Sequence, residues 1–374
     1  MDLVLFLGVM AVSSVIMTAL QPRRVIITNR LTAVPLKKIT HKIIIIVAAI
    51  IPALLVGLRD ISVGSDTDGT AYIFFLKYVQ GKEIPAELFY WIVAKIGYWV
   101  FGNYNGMLFS VALVTLLFAY FAIGEYRFSF HPGLATFIYL SMLLAPMCNI
   151  VRQSMAIAIC LFNAKNVHEK KLRRFLLFTV LAGFAHVSAF LMVVIYPLYH
   201  IAINTKHVWL RLLVVVLSFS SPFWITYVYQ LLCSLSLFSD YTKYMNMFGQ
   251  RDIAVYNFVI RYGIYFLILF SLLRVVWKSG YKELLEFSKT NIFFFYPILE
   301  AMGILCTGNM KWAFRIMYYF TPGYAMLCPY LERNFKSKYR IFYSIALISV
   351  FVYYFVVYHY LWKNDAVFPY MACF

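Results

Sequence analysis

Charged residues are scarce in this chain of 374 residues, and acidic residues are the scarcest. Only 13% of the residues are charged, with 33 Lys+Arg against 15 Asp+Glu, while 63% are hydrophobic. A soluble globular protein has an apolar share near one half, so the composition excludes that class. Apolar runs of about 15 to 23 residues recur from end to end and leave no room for a soluble domain. The sequence therefore predicts one all-α, polytopic membrane domain over residues 1–374.

Several site motifs are also missing. A Gly-rich loop followed by Lys-Ser or Lys-Thr is absent, as is a dinucleotide-binding fingerprint, so ATP or a nucleotide sugar is not expected as a direct substrate. No His-Glu-x-x-His pattern occurs, and Asp66-Thr67-Asp68 is only a weak approximation to a divalent-metal motif. The six cysteines have no C-x-x-C spacing and read as small buried hydrophobic residues. No metal and no cofactor is predicted.

The basic excess reports topology rather than a nucleic-acid partner, because Lys and Arg of membrane proteins collect in cytoplasmic loops. Basic clusters occur at 23–42, 165–174, 206–211, 278–289 and 333–340. Asp2 precedes the first apolar run and the first basic cluster follows it, so the N-terminus is predicted to face outward. The first helix then reads as an anchor, since no basic segment or cleavage site marks it as a signal peptide.

Two segments are ambiguous, and the requirement that all basic loops lie on one side of the membrane decides both. Glu87–Phe101 is short and carries Lys95, so we predict an interfacial or re-entrant helix within an outward loop at 59–104. Phe175–His200 is predicted to form two short helices that meet near His186. The result is about twelve transmembrane helices (range 10 to 13), with both termini and a second loop at 233–255 facing outward. The predicted crossings are 2–21, 43–58, 105–123, 131–148, 151–164, 175–185, 187–201, 208–230, 256–277, 291–308, 316–331 and 341–362.

The polar segment behind the second apolar run is the most informative outward stretch. It contains Arg59, Asp60, Asp66 and Asp68, which have to be solvated or paired at a membrane edge. Asp66 and Asp68 are candidate general bases. Alternatively, they cap a turn around the glycines of this segment.

Two helix starts on the predicted outer side carry an arginine. Asn149 is expected to cap the helix that contains Arg152 and Gln153, and a helix N-terminus together with a planar guanidinium suits a phosphate or diphosphate. The alternative is an interfacial arginine that extends toward lipid headgroups. Arg315 repeats the arrangement before another apolar stretch. Arg59 is a third cationic candidate, although its position at a helix C-terminus has an ordinary explanation in the helix dipole.

The remaining candidates lie inside or between helices. His186 is the histidine that we place at the outer bend of a helical hairpin, where it could act as a general base or make a structural hydrogen bond. Arg261 lies within a membrane helix and needs an anionic partner, for which Glu300 is one candidate. Tyr319 follows Arg315 and is an additional substrate-binding candidate.

Short motifs carry a resemblance to a known family. They are Gly64-Ser65-Asp66-Thr67 with the following Tyr72, Ile150-Val151-Arg152-Gln153-Ser154-Met155-Ala156, Ala185-His186-Val187-Ser188-Ala189 with Pro197-Leu198-Tyr199, and Val367-Phe368-Pro369-Tyr370. In order and interval the chain resembles the EpsG-like branch of Wzy-type polysaccharide and O-antigen polymerases over nearly its whole length. The family places a tyrosine about four residues after the aspartate, but Tyr72 has this spacing from Asp68 rather than from Asp66, which leaves both aspartates open. The stretch from Arg315 to Phe320 is similar to the family's late arginine and aromatic motif.

This resemblance implies an inner-membrane glycosyltransferase of the broad GT-C type with an outward-facing active site. It would join undecaprenyl-diphosphate-linked oligosaccharide repeat units on the periplasmic side, as in lipopolysaccharide or other polysaccharide biosynthesis. Arginines would stabilise the departing diphosphate, and His186 or Asp66 would take the proton of the acceptor hydroxyl. Inversion at the anomeric carbon and a separate chain-length-regulating membrane protein are expected by analogy.

Two other functions remain open at this stage. A lipid-linked oligosaccharide flippase or proton-coupled transporter also keeps charges in helices, although it is expected to show inverted repeats and broken helices at the midplane. An O-antigen ligase shares the arginine and histidine chemistry and differs in its acceptor. Only the motif resemblance favours the polymerase.

Overall fold

Helices make up most of the described chain. The computed structural model describes residues 2–27, 30–34, 38–127, 129–203, 252–279, 292–306, 313–333 and 335–373, together with the single positions 227, 230, 231 and 234. The helices are α1 (Asp2–Thr18), α2 (Lys38–Gly57), α3 (Leu88–Phe101), α4 (Tyr104–Glu125), α5 (Pro132–Asn149), α6 (Val151–His168), α7 (Leu172–Ala185), α8 (Ile195–Ile203), α9 (Asp252–Ser279), α10 (Tyr296–Cys306), α11 (Ala313–Met317), α12 (Pro322–Glu332) and α13 (Ser337–Tyr354). Shorter 3-10 segments are Val187–Val194 and Ile292–Phe294, and π-helical segments are Thr67–Tyr72, Phe75–Gln80 and Phe355–Leu361.

The helical fold predicted from the sequence is confirmed, with one departure. Strands β1 (Arg23–Ile27) and β2 (Arg30–Val34) pair antiparallel, with Arg23 opposite Val34. They form a short hairpin in the basic segment that was predicted as a loop, and the described chain is otherwise helical, as predicted. Two β-branched and aliphatic runs close together in sequence suffice for such a hairpin.

Within the described part of the chain, four helical segments are long and apolar enough to cross a bilayer: Lys38–Gly57, Tyr104–Glu125, Pro132–Asn149 and Ser337–Leu361. Other apolar helices are shorter, and many large apolar side chains are exposed, such as Val15 at 71% and Trp99 at 85%. Exposed apolar surface of this kind suits lipid contact. Twelve crossings and a GT-C-like arrangement stay predictions. The predicted crossing 208–230 and the loop 233–255 fall mostly outside the described residues.

Helix α5 is the centre of the bundle. Nearly all of its residues are buried, and it packs against α1, α12 and α13. Pro132 occupies the first turn, where a missing N–H costs nothing, and the Nδ1 atom of His131 accepts the N–H of Leu134. The polar residues at the end of this helix are therefore held by the most buried of the four candidate membrane-spanning helices.

Helices α3 and α4 form a close hairpin. Gly102 has a φ of 74°, which ends α3, and the side chain of Asn103 caps α4 by accepting the N–H of Gly106. A Cβ atom on Gly97 would lie 2.6 Å from the Cβ of Ser110, so only glycine allows this approach. Helix α3 occupies the predicted short segment, and its location at a membrane interface stays a prediction.

The chain breaks at His186, as the sequence predicted. Helix α7 ends at Ala185, and His186 is extended with φ −159° and ψ 126° before the 3-10 segment and α8 follow. At the far end of this hairpin, a ring nitrogen of His168 lies 3.4 Å from the hydroxyl of Tyr199. The two short helices therefore run out to His186 and back toward the end of α6.

Candidate functional site

The junction between α5 and α6 connects the candidate residues. Pro146 lies inside α5, the helix ends at Asn149, and Ile150 separates it from α6 without a side-chain cap. The predicted cap by Asn149 is wrong. Its Oδ1 atom instead accepts the backbone N–H of Asp66 at 2.9 Å and the hydroxyl of Ser65 at 3.0 Å. This amide therefore ties the loop after α2 to the start of α6.

Arg152 and His186 share one carboxylate, that of Glu87. The Nη1 atom of Arg152 lies 2.5 Å from Oε2 of Glu87, and Nδ1 of His186 lies 2.7 Å from Oε1. Glu87 stands at the start of α3, Arg152 in the first turn of α6 and His186 after α7. Three separate elements thus place one residue each into this triad.

The electrostatics of the triad favour an ionised Glu87. Burial alone raises the pKa of Glu87, but the hydrogen bond from His186 and the charge of Arg152 outweigh it, so that the pKa lies below its ordinary value of 4.5. An ionised carboxylate only accepts hydrogen bonds. Nδ1 of His186 is then the donor in the contact with Glu87, which leaves Nε2 as the ring nitrogen that can face a substrate.

A second ion pair joins two predicted residues. The Nη2 atom of Arg315 lies 2.8 Å from Oδ2 of Asp66, and the side chains are 44% and 28% exposed. The side-chain amide of Gln153 donates to the carbonyl of Arg315 at 2.6 Å. Since Gln153 follows Arg152 in α6, one helix start contacts both arginine sites. Next to them, the hydroxyls of Ser188 and Tyr319 share a hydrogen bond of 2.9 Å.

The C-terminal segment supports the same loop. Backbone N–H groups of Gly64 and Ser65 donate to the carbonyls of Ala366 and Asp365 at 2.9 and 3.4 Å. The carboxylate of Asp365 lies 2.6 Å from Nδ1 of His359 and 3.5 Å from the amide nitrogen of Asn149. Both His359 and Asp365 are buried. The segment therefore completes the scaffold behind Asp66.

Other predicted residues lie apart from these two ion pairs. Arg59 is fully buried, its Nη1 donates to the carbonyl of Val56, and its Nε and Nη2 atoms have no hydrogen-bond partner among the described residues. Tyr72 packs its ring on Phe75 and edge-on to Tyr104. The structure thus gives Arg59 and Tyr72 packing roles rather than contact with the paired arginines.

Arg261 and Glu300 form their own buried pair, with Nη2 3.6 Å from Oε1. Glu300 also accepts hydrogen bonds from the hydroxyls of Thr321 and Tyr324, and Arg261 donates to the hydroxyl of Tyr354 at 3.2 Å. The contact that the sequence left open is therefore present. It lies within the helix bundle and joins α9, α10, α12 and α13.

Three site residues escaped the sequence analysis: Glu87, His359 and Asp365. Glu87 was assigned only to the start of a short helix, and nothing in its local sequence marks it as the partner of Arg152 and His186. Asp365 and His359 precede the Val367–Tyr370 motif, which marked the segment without identifying its acid and base. The side chain of Asp68 lies outside what the structure describes, and that of Asp66 pairs with Arg315.

No group of three or more His, Cys, Asp or Glu side chains within the described ranges could hold a metal ion. The triad contains two such residues, and an arginine occupies the third position. A metal-free reaction stays a prediction.

Comparison with known proteins gave one family. The sequence profile described as the EpsG family matches residues 42–372, which is nearly the whole chain. Curated proteins and solved structures gave no match. The match includes both ion pairs, His186 and the C-terminal segment. The resemblance seen in the motifs is confirmed, and the chain belongs to the EpsG family of membrane polysaccharide polymerases, which are Wzy-type and glycosyltransferase-like.

Proposed function

We propose that this protein joins undecaprenyl-diphosphate-linked oligosaccharide repeat units into a polysaccharide on the periplasmic face of the inner membrane. The Arg152–Glu87–His186 triad carries the proposal, because it puts a cation suited to a diphosphate and a neutral imidazole on the two sides of one carboxylate. Glycosyl transfer from a lipid diphosphate needs both groups. The EpsG family membership gives the polymer-forming activity.

The reaction follows from these groups. The acceptor hydroxyl attacks the anomeric carbon of the donor while the bond from that carbon to the diphosphate oxygen breaks. His186 takes the hydroxyl proton at Nε2, and the electron pair leaves with the diphosphate, next to Arg152 and Arg315. One new glycosidic bond and one free lipid diphosphate result, with inversion expected from a single displacement.

His186 is a better base than Asp66 in this arrangement. Oδ2 of Asp66 is occupied by Nη2 of Arg315 at 2.8 Å, whereas Glu87 contacts Nδ1 of His186 and not Nε2. Glu87 does not take the proton itself in this scheme. It holds the imidazole in the tautomer that leaves Nε2 free to accept, which makes it a positioning residue.

The outward orientation is supported by the ends of α6. Arg152 lies at its start, and the basic segment 165–174 begins at its end, where Lys165 pairs with Glu125. An 18-residue helix is about 27 Å long, so the two ends are nearly a hydrocarbon thickness apart. If basic loops stay in the cytoplasm, the site faces the periplasm.

The test is a reaction of the purified protein in detergent with lipid-diphosphate-linked repeat units, with EDTA and no nucleotide, read as a glycan ladder on a gel. We expect a ladder from the wild type, none from Arg152→Ala and a weak one from Arg152→Lys, because lysine keeps the charge without the planar fork. A folded wild type that makes no ladder from authentic repeat units would contradict the polymerase proposal.

A liposome flipping assay and a lipid A core acceptor would then test the flippase and the ligase. A requirement for a chain-length regulator would appear as a change in ladder length on its addition.

A further inference from the structure

Glu87 uses its two oxygens for two different partners. Oε2 is bound by Arg152 and Oε1 by His186, and the carboxylate side chain is only 11% exposed. A buried carboxylate requires compensation of its charge. In the structure Arg152 provides that compensation, because a neutral imidazole contributes a hydrogen bond without a full charge.

Arg152 is the member of the triad that an incoming anion reaches first. Its side chain is 31% exposed, against 17% for His186 and 11% for Glu87. Any diphosphate bound by this guanidinium therefore meets a cation that is already engaged by the protein's own carboxylate.

We propose that Glu87 and the donor diphosphate compete for Arg152, so that donor binding transfers the guanidinium to the diphosphate and leaves Glu87 to His186 alone. This inference rests on the proposed function and extends it to the order of events. Once Arg152 has moved, the charge of Glu87 lacks its former partner. The proton that His186 accepts from the acceptor hydroxyl then restores neutrality around the carboxylate.

The consequence is a base that becomes effective when the donor arrives. Without donor, Arg152 and Glu87 neutralise each other, and the imidazole of His186 contacts a carboxylate whose charge is compensated. With donor bound, the same imidazole faces an uncompensated carboxylate. The exchange takes place at Oε2 of Glu87, while Oε1 keeps its contact with Nδ1 of His186.

Glu87→Gln tests the competition because it moves binding and turnover in opposite directions. Arg152 loses its internal competitor, so we expect a nonreactive lipid diphosphate to bind at least about fivefold more tightly. The rate of chain growth should fall by about 100-fold or more, since the amide carries no charge to support a protonated His186. A merely structural role of Glu87 would weaken both.

The measurements use purified full-length protein, with farnesyl diphosphate as the binding probe in a titration and the glycan ladder for the rate. The matched control is Glu83→Gln, at a position four residues before Glu87, which removes the exposed partner of Lys77. It should change neither the binding of farnesyl diphosphate nor the rate of chain growth. Equal or weaker binding of farnesyl diphosphate by folded Glu87→Gln protein would overturn the competition.

A second measurement needs no variant at Glu87. Carbon-13 labelling of histidine in the wild type allows the titration of His186 to be followed by NMR, with His186→Gln identifying its signal. Farnesyl diphosphate should raise the pH at which His186 takes up its proton. An unchanged or lowered midpoint would contradict the proposal.

The two proposals fail separately. A wild-type ladder together with unaltered binding by Glu87→Gln would leave the polymerase and remove the competition. Tighter binding by the variant without a wild-type ladder from authentic repeat units would leave the competition and remove the polymerase.

Discussion

At the scale of single residues, the carboxylates that pair with Arg152 and Arg315 differ in their surroundings. Glu87 is buried and touches both Arg152 and His186, whereas the side chain of Asp66 is 28% exposed and pairs with Arg315. An exposed pair contributes little to stability and exchanges readily with solvent. The difference assigns proton transfer to the Glu87 side through His186, while each side keeps one arginine for the diphosphate, Arg152 on the Glu87 side and Arg315 on the Asp66 side.

Replacement of His186 tests this assignment. We expect His186→Gln to lower kcat for chain growth by about 10² to 10⁴, because the proton acceptor is lost while KM for the donor changes little. Asp66→Asn should act mainly on KM through Arg315. Initial rates of ladder formation over a range of donor concentrations separate the two parameters. Full kcat in His186→Gln with loss of kcat in Asp66→Asn would transfer the role of base to Asp66.

The buried position of Glu87 also predicts a dependence of stability on pH. Its pKa is lower in the folded protein than the ordinary 4.5, so the folded state favours the ionised form. The resulting stabilisation is fully present above about pH 4.5 and is lost as the pH falls through the folded pKa.

Thermal unfolding in detergent from about pH 6 to about pH 3 checks this sign. The wild type should exceed Glu87→Gln in unfolding temperature at the upper end, and the difference should shrink as the pH falls. Glu83→Gln controls for an exposed carboxylate. A difference that grows toward acid pH would show that Glu87 is protonated in the folded protein.

The sequence predicted those site residues whose chemistry is unusual at their own positions. Arg152 and Arg315 stood out as cations at apolar helix starts, and His186 as a histidine at a helical bend. Glu87 could not be predicted as a partner, because it is 65 positions from Arg152 and 99 from His186 and only tertiary packing joins them. The burial of Arg59 was not predictable for the same reason, since its neighbours include the distant C-terminal segment, where its backbone pairs with Ala372.

At the scale of elements, the candidate site lies where the ends of several helices and loops meet the C-terminal segment, residues 365–373. The loop after α2, the start of α6 and residues 365–373 meet through Asn149, which accepts from Asp66 and Ser65 and lies near Asp365. A further backbone bridge joins Arg59 to Ala372. The position of Asp66, and with it Arg315, therefore depends on contacts between segments that are distant in sequence.

Asn149→Ala tests this connection. The change leaves the N–H of Asp66 and the carboxylate of Asp365 without their amide partner, which should cost about 1 to 3 kcal/mol of stability. Hydrogen exchange of the segment 60–66 should also become faster, and the ladder should weaken. The control Asn364→Ala removes an amide that donates to the carbonyl of Tyr358 at 3.1 Å and does not contact the segment 60–66, so the exchange of that segment should stay as in the wild type. Unchanged exchange in Asn149→Ala would show that Asn149 does not hold the loop.

Helices were predictable from the sequence because apolar runs dominate the chain, and the break at His186 was found by keeping the basic loops on one side. The hairpin of β1 and β2 was not predicted, since it lies in a basic segment whose charges were read only as a topology signal. The cap on α6 was misassigned because Asn149 has alternative partners that only the folded chain brings near.

At the scale of the whole molecule, contacts divide the bundle into two ends. The end with the site includes both termini, because the backbone N–H of Tyr370 donates to the carboxylate of Asp2 at 2.9 Å and that of Cys373 to the carbonyl of Leu58 at 2.9 Å. The other end carries the basic segments, with Lys165 paired to Glu125. Arg340, in the basic segment 333–340, pairs with Glu332 at the end of α12. The location of the C-terminus in the cell therefore reports the side of the site.

Cys373 allows this location to be measured. It is exposed, whereas Cys148, Cys160 and Cys328 are buried. In a background where serine replaces Cys233 and Cys306, a membrane-impermeant maleimide should label intact spheroplasts, and Cys373→Ser should abolish the signal. The backbone N–H of Cys373 is hydrogen-bonded to the carbonyl of Leu58, which directly follows α2 and precedes the loop with Asp66. Such labelling would therefore place the candidate site in the periplasm. Labelling that requires permeabilised membranes would place the site in the cytoplasm and contradict the proposed use of periplasmic repeat units.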